Sequence, residues 1–564
     1  MAAVEMGRPL GEVLDRRQRW LLLGSLMLAM FVGAIDQTVV ATATPRILAD
    51  LGGFPLLSWL FTSYMLSSTV VIPLVGKLSD TFGRKYFVFA GLFVFMVASI
   101  ACGAAPNMPA LIAFRAVQGL GGGMIFASVF ASIGDIFPPA ERAKYMGLFT
   151  GTFSLASILG PAFGGFLTDN GGWRWVFYIN VPFVLVAMPA IWLNLPARRA
   201  LRRPKIDFAG AALLSLASVL LLLAFEWAGK RYDWDSAQII GLVAAALTLT
   251  GAFIYQESRH PEPILPLHLF RNRTFVLSNL SVFLFGMGMF GALQYLGLFV
   301  QTALGASATA SGVIATPQAL GLLGASVIGG QAIARSGRYQ LQTIIGSVII
   351  VLPMLYFTGL DVNVARWELS LAMVVLGIGF GLTMPTMSLM VQNAVPYRYL
   401  GVASSSSQFF RQIGSVFGIA IFAAVLTNSY EAAFEDNLSA GARATIVAAE
   451  ASGAAQRGTL EQFEDPTLFL NAGAFAVVQR ELSALPGGEQ VLAEATAAQR
   501  VSVATAVRHI FLGATAIAVL CLMLSFLIRE LPLRRDFKDA AAPRAQSPGP
   551  VLGETEPSPA GSRR

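Results

Sequence analysis

The sequence predicts an all-α integral membrane protein with fourteen membrane-crossing helices, and three observations point that way. Of its 564 residues, 55% are hydrophobic and only 13% charged, against about 25% charged in soluble proteins. The mean hydropathy of +0.65 is more than a single soluble core can hide. Apolar runs of about 20 residues, the length a helix needs to cross a bilayer, recur along most of the chain. Polar and apolar residues do not alternate within those runs, which disfavours a membrane β-barrel. The same composition excludes a soluble enzyme, a secreted disulfide scaffold and a disordered chain.

In order, the expected spans are 20–43, 57–76, 86–104, 109–134, 144–168, 174–194, 207–228, 236–256, 274–302, 307–334, 340–359, 367–394, 400–427 and 506–529. The first run is too long for a signal-peptide core and contains Asp36, so no cleaved leader is expected. With the N-terminus in the cytoplasm, 27 of the 39 Lys and Arg residues fall on the cytoplasmic side, both tails included. The short outer loops hold five: Arg46, Arg174, Lys230, Arg231 and Arg366. This asymmetry orients the chain with both termini inside. It also explains the net charge of +7 without nucleic acid as a partner.

Residues 428–505, between the last two spans, form a long outer segment, Ala-rich and acidic, with helix-like stretches at 440–457 and 488–504. Two readings stand: a solvated helical cap, or a docking module for a periplasmic or envelope accessory protein. The tail from 531 is rich in Pro, Ser, Ala and Gly and reads as disordered. Cys102 and Cys521 lie in apolar runs far apart, and His260, His268 and His509 have no ligand spacing. Neither a metal nor a cofactor is expected.

An internal repeat divides the chain. Gly76, Gly83 and Arg84 after span 2 match Gly330, Gly337 and Arg338 after span 10 at a constant offset of 254 residues. Repeated halves about a central site are the usual build of secondary transporters. The divisions are then an N-terminal segment (1–19), a six-helix half (20–196), an inserted helix pair with linkers (197–260), a second six-helix half (261–530) and the tail (531–564).

Charge inside the spans marks the chemistry. Asp36 and Arg115 both lie about 10 Å below the outer surface at 1.5 Å per helical residue. A charge at that depth is costly and faces a cavity or a partner. Two readings follow: a structural ion pair, or a proton switch in which neutralising Asp36 releases Arg115. In the loop after span 2, Gly76 and Gly83 allow a tight turn. Asp80 is placed to meet a helix N-terminus, near Gly401. Arg84 and Lys85 are free to pair with acids or lipid phosphate. In span 5, Pro161 kinks the helix, while Gly160, Gly164 and Gly165 permit close packing. Tyr64, Gln118, Glu226, Tyr295, Gln318, Gln392 and Arg411 are candidates for the wall of a substrate cavity.

At these residues the chain resembles the major facilitator superfamily. Gly76, Asp80, Gly83, Arg84 and Lys85 match its signature loop, Arg115–Gly121 its Arg-x-x-Gln-Gly-x-Gly motif, and Gly160–Gly165 its antiporter motif. Asp36, Gln37 and Thr38 with Pro45, and Trp173–Trp175 with Phe177, Asn180 and Pro182, resemble the fourteen-span drug:H+ antiporters of the EmrB/QacA type. The resemblance implies the major facilitator fold, two six-helix halves plus two inserted helices, in a bacterial cytoplasmic membrane. It implies a proton-coupled exporter of amphiphilic small molecules, with lipid bilayer, protons and substrate as partners. No phosphate-binding Gly-x-x-x-x-Gly-Lys loop is present, so ATP is not the expected energy source. An exporter of one metabolite, lipid or siderophore remains the alternative within the fold. A membrane enzyme lacks its clustered His or paired carboxylates, and intact Asp36, Asp80 and Arg115 argue against a non-transporting accessory protein.

Overall fold

The computed structural model describes residues 4–5, 10–53, 56–199, 205–229, 231–452, 459–466, 468, 472–485 and 487–533. The tail beyond 533, and Phe469 and Leu470 of the outer segment, lie outside them.

Fourteen helices among the described residues are long and apolar enough to cross a membrane. They are α1 (Arg16–Leu51), α2 (Leu57–Phe82), α3 (Arg84–Gly103), α4 (Met108–Ile136), α5 (Pro139–Asn170), α6 (Trp175–Asn194), α7 (Phe208–Trp227), α8 (Ala237–Arg259), α9 (Arg273–Thr302), α10 (Ala308–Ser336), α11 (Tyr339–Phe357), α12 (Arg366–Asn393), α13 (Leu400–Asn437) and α14 (Gly488–Leu527). A two-residue parallel pairing of Val4–Glu5 with Arg198–Arg199 is the small β element.

Polar residues set the helix ends. Asp15 and Gln18 form a reciprocal capping box at the start of α1, and Asn107, Asp207, Ser236 and Ser307 cap α4, α7, α8 and α10. Each such cap satisfies a backbone N–H that lacks an intrahelical acceptor, worth about 1 kcal/mol. The two repeat glycines end α2 and α10 at positive φ, 94° for Gly83 and 72° for Gly337. A side chain is strained there, so glycine stands at both.

One group of helices is built on the contacts α2–α4, α3–α4 and α1–α5, a second on α10–α12, α11–α12, α13–α14 and α11–α14. The groups meet where α2 packs on α13 and α5 on α10. Backbones approach closely there. A Cβ on Gly76 would strike Ser405, and one on Gly330 would lie 2.5 Å from the carbonyl of Ala143. Gly76 and Gly330, equivalent positions of the repeat, thus each lie against a helix of the other group.

The inserted helices α7 and α8 pack on one another, and α7 touches both α2 and α13. Its Phe225 lies 4.0 Å from the Phe417 ring of α13, and its Trp227 lies 6.5 Å from Trp59 of α2. The pair therefore sits beside the seam between the groups.

Two differences from the expected spans stand out. α13 has 38 residues and α14 has 40, about 57–60 Å each against a hydrocarbon layer of about 30 Å. The apolar runs end where expected, but helix-forming residues continue them, so 488–504 is the first part of α14 and not a separate helix. Between them Ala440–Ser452, Thr459–Phe463 and Ala472–Ser483 form short helices. Tyr430 and Phe434 of α13 stack in line with Phe463, and the Tyr430 hydroxyl donates to the Phe463 carbonyl at 2.5 Å.

α1 begins, α12 ends and α11 begins on one side of the bundle, and the chain after α14 returns there. Asn393 Nδ2 donates to the Leu531 carbonyl at 3.2 Å, and the Leu531 amide donates to the Tyr339 hydroxyl. This is the terminal side; the segment joining α13 to α14 occupies the far side.

Candidate functional site

Two charged clusters lie within the spans. The first is centred on Asp36 of α1, which is 0% exposed, with Arg115 of α4 at 1%. Arg115 Nη1 donates to Asp36 Oδ2 at 2.6 Å. Asp36 Oδ1 accepts from Gln118 Nε2 at 2.9 Å and Asn180 Nδ2 at 2.8 Å. Ser99 Oγ of α3 accepts from Gln118 at 2.7 Å. Arg115 Nε donates to the Leu60 carbonyl of α2 at 3.3 Å, and its guanidinium lies 4.5 Å over the Tyr64 ring. Helices α1, α2, α3, α4 and α6 therefore converge on one buried ion pair. Charge-assisted bonds of this kind are worth more than neutral ones, while removing one partner of a buried pair costs about 3–5 kcal/mol.

α5 positions α1 for that pair. Gly164 lies against Val39, where a Cβ would come within 2.9 Å of the carbonyl, and Gly160 lies against Thr38. The Thr38 hydroxyl bonds the Ala156 carbonyl at 3.2 Å. Pro161 is exposed on the other face of α5, and a Cβ on Gly165 would meet nothing within 4 Å.

The second cluster lies on the terminal side, across the seam. Asp80 Oδ1 accepts from the Gly401 amide at 3.0 Å, and Oδ2 from the Val402 amide at 3.0 Å. These amides open α13 and lack intrahelical acceptors, so Asp80 of one half caps a helix of the other. Arg84 pairs with Asp80, and its Nε donates to Asp135 Oδ2 at 3.2 Å. A Cβ on Gly401 would lie 2.5 Å from Arg84 Nη1, so glycine is required at this approach. Lys85 lies 4.5 Å over the Trp192 ring. Beside this cluster Arg142 closes the end of α4, donating to the carbonyls of Phe137 and Gly134.

The candidate cavity residues do not converge. Tyr64 and Gln118 belong to the Asp36 cluster. Gln392 is buried at the seam, donating to Ser404 Oγ at 2.8 Å and to the Phe130 carbonyl of α4 at 3.5 Å. Tyr295 ties α9 to α13 through the Ile419 carbonyl at 2.8 Å. Gln318 is half-buried on α10, its carbonyl against Gly377 of α12, and Glu226 is half-buried at the end of α7. Arg411 of α13 is half-buried and bonds Gln408, with no carboxylate partner among the described residues. Beside it α9 carries a π-helical turn, Gly286–Phe290. A Cβ on Gly286 would meet the Arg411 carbonyl. The Gly-Met-Gly-Met run there was the available signal for that break. Ser99, Asp135 and Arg142 are members of these clusters that the sequence reading did not name, and Asn180 entered it only as part of the family resemblance.

A membrane bundle of two helix groups with a paired charge buried in one and a cross-seam cap between them is the build of a membrane transporter. The Major Facilitator Superfamily model matches residues 26–419, and the chain belongs to that family of transporters. It is 43% identical over 409 residues to the multidrug transporter protein MdtP of Bacillus subtilis, covering 72% of this chain and 75% of that one. It is 36% identical over 455 residues to multidrug resistance protein 3 of the same organism, covering 81% and 86%. Among solved structures, the human organic anion transporter MFSD10 superposes with a TM-score of 0.58 at 15% identity, covering 90% of this chain and 99% of that one. At that identity the likeness shows the fold alone.

Proposed function

We propose that the chain is a proton-coupled exporter of small amphiphilic molecules in a bacterial cytoplasmic membrane, with the terminal side in the cytoplasm. It moves its substrate without altering it, by alternating access between the halves 20–196 and 261–530. The multidrug names of its Bacillus relatives support the substrate class. The Lys and Arg asymmetry supports the orientation.

The observation that carries the proton assignment is the Asp36–Arg115 pair at 2.6 Å. Asp36 is a fully buried carboxylate held by donors from two other helices of its own group, α4 and α6. A proton on Asp36 removes the counter-charge of Arg115 and frees α1, α4 and α6 to shift. In the conformation described, the halves are joined on the terminal side by Asp80 and the seam glycines, so exchange with the far side comes first. Energy coupling then consists of a proton entering from the far side and substrate leaving to it.

The test is uptake of an amphiphilic dye into inside-out vesicles under an imposed pH gradient. Asp36→Asn is expected to insert and to bind dye but to lose gradient-driven accumulation. Dye binding survives because apolar burial supplies most affinity in such cavities. The double variant Asp36→Asn with Arg115→Gln removes the uncompensated charge and separates coupling from folding. Accumulation by Asp36→Asn equal to the parent's would place the proton elsewhere.

A further inference from the structure

Arg411 is a charge within the membrane that the fold leaves unanswered. Leu400 opens α13, so Arg411 lies about 16 Å into the helix at 1.5 Å per residue. That is roughly half-way across a hydrocarbon layer of about 30 Å. Between Arg273 and Tyr430 the acids are Asp361 and Glu368, and both stand by the far-side turn from α11 to α12. Glu368 there accepts from the Tyr356 hydroxyl at 2.7 Å. The buried Arg115 has Asp36. Arg411 makes one side-chain bond among the described residues, from Nη2 to Gln408. Its Nε and Nη1 have no acceptor there, yet neither is closed off by protein.

The neighbours of Arg411 place it at the seam. Gln412 bonds Thr69 of α2, and Phe409 packs with Ile72 and Val75 of α2 and Ala127 of α4. Gln408, Arg411 and Ser415 recur at helical spacing and share another face. On that face Gly414 and Gly418 lie against Phe283 and Met287 of α9. There α9 breaks into the π-helical turn Gly286–Phe290. Such turns are frequent at functional sites, and secondary transporters hold substrate near the midplane beside interrupted helices. The unpaired guanidinium and the irregular turn are separate observations that coincide in space.

An unpaired cation at this depth is costly and marks a place where a partner answers it. A cationic substrate would be repelled, and a neutral apolar one would leave the guanidinium bare. An anionic oxygen completes it, through charge-assisted bonds about twice as strong as neutral ones. We propose that Arg411 reads the charge of the substrate, and that the exported amphiphile is an organic anion. One carboxylate- or sulfonate-type group sits on Nε and Nη1 of Arg411, and the apolar body lies along α9. Gln408 holds Nη2 and so fixes the plane in which the other two nitrogens are offered. This names the substrate class of the exporter proposed above and rests on that reading.

The test uses the full-length protein in lipid nanodiscs and three probes with one dansylaminoundecyl body, ending in a sulfonate, a hydroxyl or a trimethylammonium group. Binding is read as energy transfer from tryptophan to dansyl against empty discs, with no gradient applied. The parent is expected to bind the sulfonate about tenfold more tightly than the hydroxyl probe, and the trimethylammonium most weakly. Arg411→Gln should bring the sulfonate down to the affinity of the hydroxyl probe, and Arg411→Lys should keep part of the preference. Equal losses for all three probes in Arg411→Gln would make Arg411 a packing residue and overturn the assignment. So would a parent that binds the sulfonate no better than the other two. Uptake into proteoliposomes under a pH gradient keeps the two readings apart. A sulfonate preference without gradient-driven uptake leaves Arg411 in its role and removes proton coupling; gradient-driven uptake of all three probes alike does the reverse.

Discussion

Asp80 does its work with two backbone amides and one arginine. A carboxylate on the first turn of a helix is worth about 0.3–1 kcal/mol, and up to about 2 when partly buried. Spent between halves, that energy biases one arrangement over another without touching substrate. Asp80→Asn is therefore expected to cut turnover by about tenfold, a change of about 1.4 kcal/mol, while dye affinity stays within about threefold. Fluorescence binding titrations beside transport rates check it, and a large affinity loss with unchanged turnover would contradict it. At this scale the charged residues were legible, because a charge in an apolar run is conspicuous and must be answered. Asp36, Arg115, Asp80 and the contact at Gly401 could all be read that way. Their neutral neighbours could not. Ser99 and Asn180 are ordinary in membrane helices, and only the convergence of α3 and α6 on Asp36 gives them a role. Gln392 illustrates the converse: a polar residue in an apolar span looks like a cavity wall, yet here it bonds Ser404 of its own group and, across the seam, the Phe130 carbonyl.

Helix α5 shows how spacing decides which glycines matter. Gly160 and Gly164 are four apart and share the face toward α1, while Gly165 is one step round. Gly164→Ala puts a methyl 2.9 Å from the Val39 carbonyl and must push α1 away, moving Asp36 relative to Arg115. A loss of at least about tenfold in gradient-driven transport is expected. Gly165→Ala has open space around it and should stay within about twofold. Parallel uptake assays at matched membrane levels distinguish the two, and equal effects would remove α5 from the positioning of Asp36. The sequence offered the motif as a dense cluster, without telling its faces apart. Hydropathy likewise placed the spans but cut α13 and α14 short, since a helix continues past the bilayer wherever its residues favour it and something packs on it. Tyr430, Phe434 and Phe463 supply that packing.

Across the whole molecule, an even number of spans puts both ends on one side, and the cytoplasmic orientation proposed from the Lys and Arg distribution has a direct test. Ser483→Cys on the last short far-side helix and Ser258→Cys near the end of α8 are both exposed, and the native Cys102 and Cys521 are buried. An impermeant maleimide should label Ser483→Cys on intact cells and Ser258→Cys only after permeabilisation. The reverse pattern would invert the orientation. The 254-residue repeat was legible as sequence, and its meaning in space was not. Which helices the two copies touch depends on how the halves dock, a long-range property that no local pattern encodes. Nor does the repeat extend to the acid: Arg84 has its match in Arg338, but where one copy has Asp80 the other has Ala334.

The seam glycines bear on how the halves separate. Where Gly76 meets Ser405 and Gly330 meets Ala143, no long side chain stands between the helices to stretch, re-pack or follow a retreating partner. Dispersion contacts of this kind fade within about 1 Å of added gap, and the Asp80 cap is lost over a similar distance. Attraction across such a joint is brittle, more like two flat plates than two brushes. A fluorophore pair spanning the halves should then hop between two discrete distances, with the dwell times carrying all the information about substrate and proton.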